Sequence, residues 1–191
     1  MNPAQTELDA LIERWLNYHQ QQDVGFPTAP HDNNWPSLCE IPNTLWDGQI
    51  QWRPIKRECS GDFSNLEKGL EMSLHPDLAI FYGQYWSHQL DVFHKEGPVY
   101  LLQAWNEQDY ENLQKNLIGH VLMKRQLKQE ETLFLGLTDQ EDLIITMLNR
   151  TGEIVLEQVG KPPHFTIADN LESFLQQLSP VSLINELESQ N

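Results

Sequence analysis

Cysteine is nearly absent: Cys39 and Cys59 stand alone in 191 residues, with no C-x-x-C pair and no set for a disulfide framework. That is the usage of a reduced, cytoplasmic chain. Long apolar runs are also missing, since no stretch approaches the roughly 18 residues a membrane span needs. The opening Met-Asn-Pro-Ala-Gln-Thr-Glu is neither basic nor apolar, so neither a signal peptide nor a membrane anchor is expected. Eleven prolines and ten glycines are ordinary for this length and do not indicate disorder. One domain over residues 1–191 is expected, with about 181–191 as a C-terminal tail.

Positive charge is the scarcest commodity. Twelve Lys and Arg face 28 Asp and Glu, leaving −16. The middle of the chain is nearly neutral, with nine basic and ten acidic residues over 50–128. The ends carry the excess: one Arg against seven acids over 1–49, and two basic residues against eleven acids over 129–191. Such a chain is repelled by nucleic acid and by bare anionic membrane. It attracts a basic partner, within a Debye length of about 8 Å at physiological salt. Solubility alone is the bland explanation of the same charge.

Catalytic signatures are missing too. There is no G-x-S-x-G, and no glycine-rich loop joins a strand to a helix. Cys39 sits between Leu38 and Glu40, an environment that raises a thiol pKa. His88 and His94 flank Asp91, but as a strand their even spacing puts Asp91 on the other face, and no third ligand is near. A nuclease built on Asp77 and Asp91 wants an acid two residues before Lys95, where Phe93 stands. His120 inside a helical segment reads as a hydrogen-bonding partner for a neighbouring element. Glu107 with Asp109 reads as compensation of a helix dipole, and Glu130 with Glu131 as a solvated turn. The chain is therefore read as a non-enzyme without cofactor, metal or catalytic residues, a small acid–base or metal-assisted hydrolase being the alternative.

Positive signals begin with a helix from Pro3 to about Gln21 and a proline-punctuated loop from Val24 to Pro42. Asp47-Gly48 is a hairpin turn flanked by Thr44–Trp46 and Ile50–Trp52, which would bring Trp46 near Trp52. Helices follow from Phe63 to about Leu74 and from Asp77 to Trp86. Strands are expected at Gln89–His94, Val99–Gln103, Thr132–Leu137, Leu143–Leu148 and Glu153–Val159. A capping box of Asp169 and Glu172 opens a last helix, which Pro180 closes, and a frayed helix with Leu183, Ile184 and Leu187 follows. Helices, hairpins, a helix and a meander predict an α+β fold with a mostly antiparallel or mixed sheet.

Val99 to Leu127 is the best-determined stretch. Val99-Tyr100-Leu101-Leu102 reads as a strand buried on both faces, and Asn106 as the N-cap of a long helix. Glu107, Asp109 and Glu111 load its first turn, and Tyr110, Leu113, Leu117 and Val121 make one apolar face. Lys124, Arg125 and Lys128 occupy the end where cations suit the dipole.

The words L-L-Q-A-W-N and N-L-I-G-H in this stretch resemble the Syd family, SecY-interacting proteins of bacterial cytoplasm. P-S-L-C from Pro36, W-R-P from Trp52, H-P-D-L-A-I-F-Y from His75, T-L-F-L from Thr132, N-R-T-G-E from Asn149 and N-L-E-S-F-L-Q-Q-L-S-P from Asn170 extend the likeness in order. The resemblance implies an α+β fold related to single-domain binding and immunity proteins. It also implies a partner, SecY, whose basic cytoplasmic loops would enter an acidic concave surface on the cytoplasmic side of the inner membrane. Membrane association would then be indirect, and the role one of regulating or checking improperly assembled channel. An immunity-type inhibitor of a basic toxin is the alternative within the binding class.

The residues themselves nominate the contact. Tyr82, Trp86 and Trp105 are amphipathic aromatics of the kind that anchor interfaces. Glu107, Asp109 and Glu111 follow Trp105, and Glu40 and Asp47 join them if the fold brings the hairpin near.

Overall fold

The computed structural model describes residues 2–180, and the expected helix around Leu183 to Leu187 lies outside them. The described elements run α1 (Pro3–Gln20), β1 (Thr28–Pro30), β2 (Gln49–Gln51), β3 (Ile55–Lys56), α2 (Ser64–Leu70), α3 (Pro76–Gly83), β4 (Tyr85–Trp86), β5 (Leu90–His94) and β6 (Gly97–Leu101). After these come α4 (Glu107–Gln126), β7 (Thr132–Thr138), β8 (Leu143–Leu148), β9 (Ile154–Gln158), β10 (Phe165–Ala168) and α5 (Leu171–Gln176). This is an α+β architecture.

Six strands form one antiparallel sheet in the order β10-β9-β8-β7-β6-β5. Alternation along the strands assigns its faces. Thr132 and Glu157 bond to His120 and Lys124 of α4 on one face. Ile145, Leu156 and Ile167 share a hollow with Phe174 of α5 on the other. Helix α1 packs beside α5, and its Trp15 stacks on Trp52 at 5.2 Å between ring centres.

Local signals explain most boundaries. Asn2 caps α1 and Pro3 takes the first helical position, where a missing N–H costs nothing. Asn106 caps α4 by accepting from the Asp109 N–H at 2.9 Å. Asn170 rather than Asp169 caps α5, accepting from the Ser173 N–H at 2.8 Å. The helix expected to reach Leu74 ends at Leu70, where Glu71 turns left-handed (φ +52°). The one expected to reach Trp86 ends at Gly83, freeing Tyr85 and Trp86 to pair with Ile55 and Lys56.

Other expectations fail for tertiary reasons. The Asp47-Gly48 turn forms, closed by reciprocal Trp46–Gln49 backbone bonds of 2.9 Å, but its ladder stops there. Strand β2 pairs instead with β1, inside the supposed loop. Trp46 and Trp52 therefore part: Trp52 enters the core and Trp46 points to solvent. Strand β6 is not buried on both faces, since Val99 and Leu101 are buried while Tyr100 is half-buried.

Candidate functional site

The connection from β6 to α4 is fixed from both sides. Its Leu102 N–H donates to Leu135 O and its Ala104 O accepts from the Ser87 N–H, both at 2.9 Å. Asp109 turns its carboxylate back to the Trp105 N–H at 2.8 Å while its own N–H reaches Asn106, a reciprocal cap.

The loop around Pro36 is stitched onto this turn. Trp105 Nε1–H donates to Trp35 O at 3.3 Å, Asn106 Nδ2–H to Pro36 O at 3.0 Å, and the Ser37 hydroxyl to Trp105 O. Segments some 70 residues apart thus meet. Between them lies a shallow, largely apolar hollow of about 330 Å³ lined by Pro36, Ser37, Leu38, Trp86, Trp105, Asn106 and Glu107.

Trp86 is held from behind. The Arg57 guanidinium lies 3.8 Å from its ring centre and 4.6 Å from that of Tyr110, a cation between two π faces. Arg57 was not among the residues singled out from sequence. Glu107 stands at the rim with its side chain 70 % exposed, 3.9 Å from Arg57 Nη2. Leu38, 75 % exposed, lines the hollow as well.

The nominated residues divide accordingly. Half-buried Trp86 and exposed Glu107 line the hollow with Trp105. At 7 % exposure Trp105 belongs to the core and forms a wall of the hollow, a correction to its reading as a surface anchor. Asp109 acts through the Trp105 backbone, and Glu111 is exposed farther along α4. Glu40 pairs with the His31 ring at 3.2 Å, and this hydrogen bond, with one to Asn33, raises the His31 pKa. The His31 N–H donates to Gly48 O at 2.9 Å, which sets the Glu40–His31 pair beside Asp47 on the turn. Strand segments join Glu40 to the hollow: Glu40 bridges Trp52, whose ring meets Trp105 edge-on at 6.1 Å.

Tyr82 is a correction. It is fully buried and its hydroxyl donates to Phe134 O at 2.8 Å, so it is a core residue and offers nothing to a partner. Lys124 stands in the last turn of α4, as expected, but it is buried there and paired with Glu157 of β9.

Other groups weighed for chemistry have structural partners. His120 Nε2 meets Thr132 Oγ1 at 2.8 Å, the cross-element bond expected of it, and burial lowers its pKa to about 4. Burial raises the Cys39 thiol to about 11. His88 lies ahead of β5 against Trp52 and Trp105, whereas His94, at its far end, bonds Gln177 at 3.0 Å. Their rings thus do not share a strand face. Among the described residues no group of three His, Cys, Asp or Glu is placed to hold a metal ion, and no helix is long and apolar enough to cross a membrane.

The model of the Syd protein (SUKH-2) family matches residues 5–180. Protein Syd of Alteromonas mediterranea is 44% identical over 177 residues, covering 92% of this chain and 96% of that one. Protein Syd of Pseudoalteromonas translucida is 43% identical over 172 residues, covering 90% and 96%. That of Colwellia psychrerythraea is 38% identical, covering 95% and 96%. By family model and by relatives aligned nearly end to end, the chain belongs to the Syd protein family.

Proposed function

We propose that the chain is a non-enzymatic binding protein that recognises SecY, the export-channel subunit, through basic cytoplasmic loops. It works at the cytoplasmic face of the inner membrane and is held there by its partner. Membership of the Syd family supports the choice of partner. The observation that carries the contact is the hollow between Leu38, Trp86 and Trp105 with Glu107 at its rim. Apolar side chains of a loop would enter the hollow while its Lys or Arg residues meet Glu107, Glu111 and the Glu40–Asp47 group. Long-range attraction to a chain of net charge −16 sets the encounter rate, and close aromatic contact sets the lifetime. Regulation of improperly assembled channel follows if those loops are accessible only when their usual partners are missing.

Capture of SecY from detergent-solubilised inner membranes tests this reading. Wild-type protein on a resin retains SecY, and Trp86→Ala retains roughly tenfold less, as befits a central aromatic anchor. Equal retention by the two proteins removes the hollow from the contact.

A further inference from the structure

The Asp47-Gly48 turn carries a second feature that the hollow does not use. Trp46 is 83 % exposed and Leu45 is 52 % exposed at the same turn. A tryptophan offers a large apolar area, and a core role would bury it. Among the described residues nothing covers it, although the turn that bears it is firmly held.

The mount is rigid for identifiable reasons. Asp47 (φ +49°) and Gly48 (φ +74°) both adopt the left-handed region, as a tight two-residue hairpin turn demands. Both Trp46–Gln49 backbone bonds form at 2.9 Å. Thr44 Oγ1 donates to Ile41 O at 2.8 Å and accepts from the Gln51 N–H at 3.0 Å. Little backbone freedom remains to be lost when Trp46 meets a partner, which is the part of the ordering cost that pre-organisation removes.

Charge selects the partner. Residues 15–52 contain no Lys or Arg but hold Asp23, Asp32, Glu40 and Asp47. Asp47 adjoins Trp46 in the chain, and the Glu40–His31 pair lies beside the turn through the His31–Gly48 bond. An anionic lipid surface would be repelled. A cationic segment would be attracted, and its Lys or Arg would also gain from the indole face.

We propose that the Leu45–Trp46 turn is a preformed anchor for a cationic, amphipathic protein segment, Trp46 taking its apolar side chain and the exposed Asp47 its positive charge. This adds a second point of contact to the channel-binding reading and rests on that reading for the natural partner.

Calorimetric titration with a synthetic Lys/Leu amphipathic peptide tests the anchor without SecY. Trp46→Ser should weaken binding roughly tenfold or more, and Trp46→Phe should recover most of it. Melting temperatures should not move, because the side chain is exposed. A Glu/Leu peptide of the same pattern should not bind. Unchanged peptide affinity in Trp46→Ser, or equal binding of the Glu/Leu peptide, overturns the proposal. So does a loss confined to phosphatidylglycerol vesicles, which would make the turn a lipid anchor. SecY capture in parallel separates the two ideas. Wild type that takes the peptide through Trp46 but never retains SecY refutes the channel reading and leaves the anchor standing. Wild type that retains SecY while Trp46→Ser binds peptide normally refutes only the anchor.

Discussion

Lys124 of α4 and Glu157 of β9 form an ion pair at 3.1 Å with both side chains at 0 % exposure. Every charged end is further satisfied: Lys124 Nζ–H donates to Lys161 O at 3.1 Å, and Thr132 Oγ1–H donates to Glu157 Oε1 at 3.1 Å. Such a pair gives little net stability but is costly to break, because the surviving charge is left buried alone. Lys124→Met should therefore lose about 3–5 kcal/mol by urea unfolding. The double change Lys124→Met with Glu157→Leu should cost less than Lys124→Met alone. A double variant weaker than the single would show that the pair itself, and not the stranded carboxylate, matters.

His120 makes the same network sensitive to acid. Burial is the main cause of its pKa of about 4, the nearby Lys124 ammonium the second. Glu157 Oε1, at 3.6 Å, is the anion facing it. The folded pKa lies below the ordinary value of 6.5, so the unfolded chain takes up the proton first. The contribution is fully present above pH 6.5 and is lost as pH falls toward 4, by up to roughly 3 kcal/mol at about 1.36 kcal/mol per pKa unit. Unfolding free energies at pH 7.5 and pH 5 should diverge in wild type and converge in His120→Gln, except for what other groups add.

This network also marks where sequence reading ended. The face of α4 bearing Leu113, Leu117 and Val121 is buried as its period predicts. The same helix sends His120 and Lys124 to the sheet, and their partners Thr132 and Glu157 lie on strands that no helical period reveals. Strands β5 to β9 were legible from apolar runs and turn residues. Strand β10 was not, because Pro162 and Pro163 precede its few residues, and β1 hid among the prolines of its loop. The hollow was half legible: Trp86, Trp105 and Glu107 were nominated, but Pro36 and Leu38 reach them only through tertiary bonds. Aromatic character alone did not separate Tyr82, a core residue, from Trp86, half-buried at the hollow.

That separation is testable. Tyr82→Phe removes one buried hydrogen bond and leaves the Phe134 carbonyl short of a donor, costing about 1–2 kcal/mol. It should not change SecY retention at a temperature where the variant is folded. Arg57→Met should do the reverse in part. It removes the cation stacked on Trp86, so retention should fall at a stability cost of about 1–2 kcal/mol. Thermal melting and resin capture on the same preparations decide both.

Gly152 tests how α3 is seated. It sits at φ +79°, and a Cβ there would lie 2.6 Å from His75 Nε2. His75 in turn donates its N–H to Asn149 Oδ1 at 2.8 Å, tying the start of α3 to the β8–β9 turn. Gly152→Ala should lower stability by roughly 1–3 kcal/mol through left-handed strain and this clash. Adding His75→Ala removes the clash and should restore only part of the loss. Full restoration, read by thermal melting, would assign the whole cost to His75.

The association rate with detergent-solubilised SecY, measured at low and high salt, bears most directly on the central claim of an acid-rimmed aromatic contact. The account predicts a rate that falls steeply as salt rises, with Glu107→Lys slower than wild type at low salt and the difference shrinking at high salt. Trp86→Ala should mainly hasten dissociation. A wild-type rate indifferent to salt, with Glu107→Lys and Trp86→Ala both behaving like wild type, would contradict it.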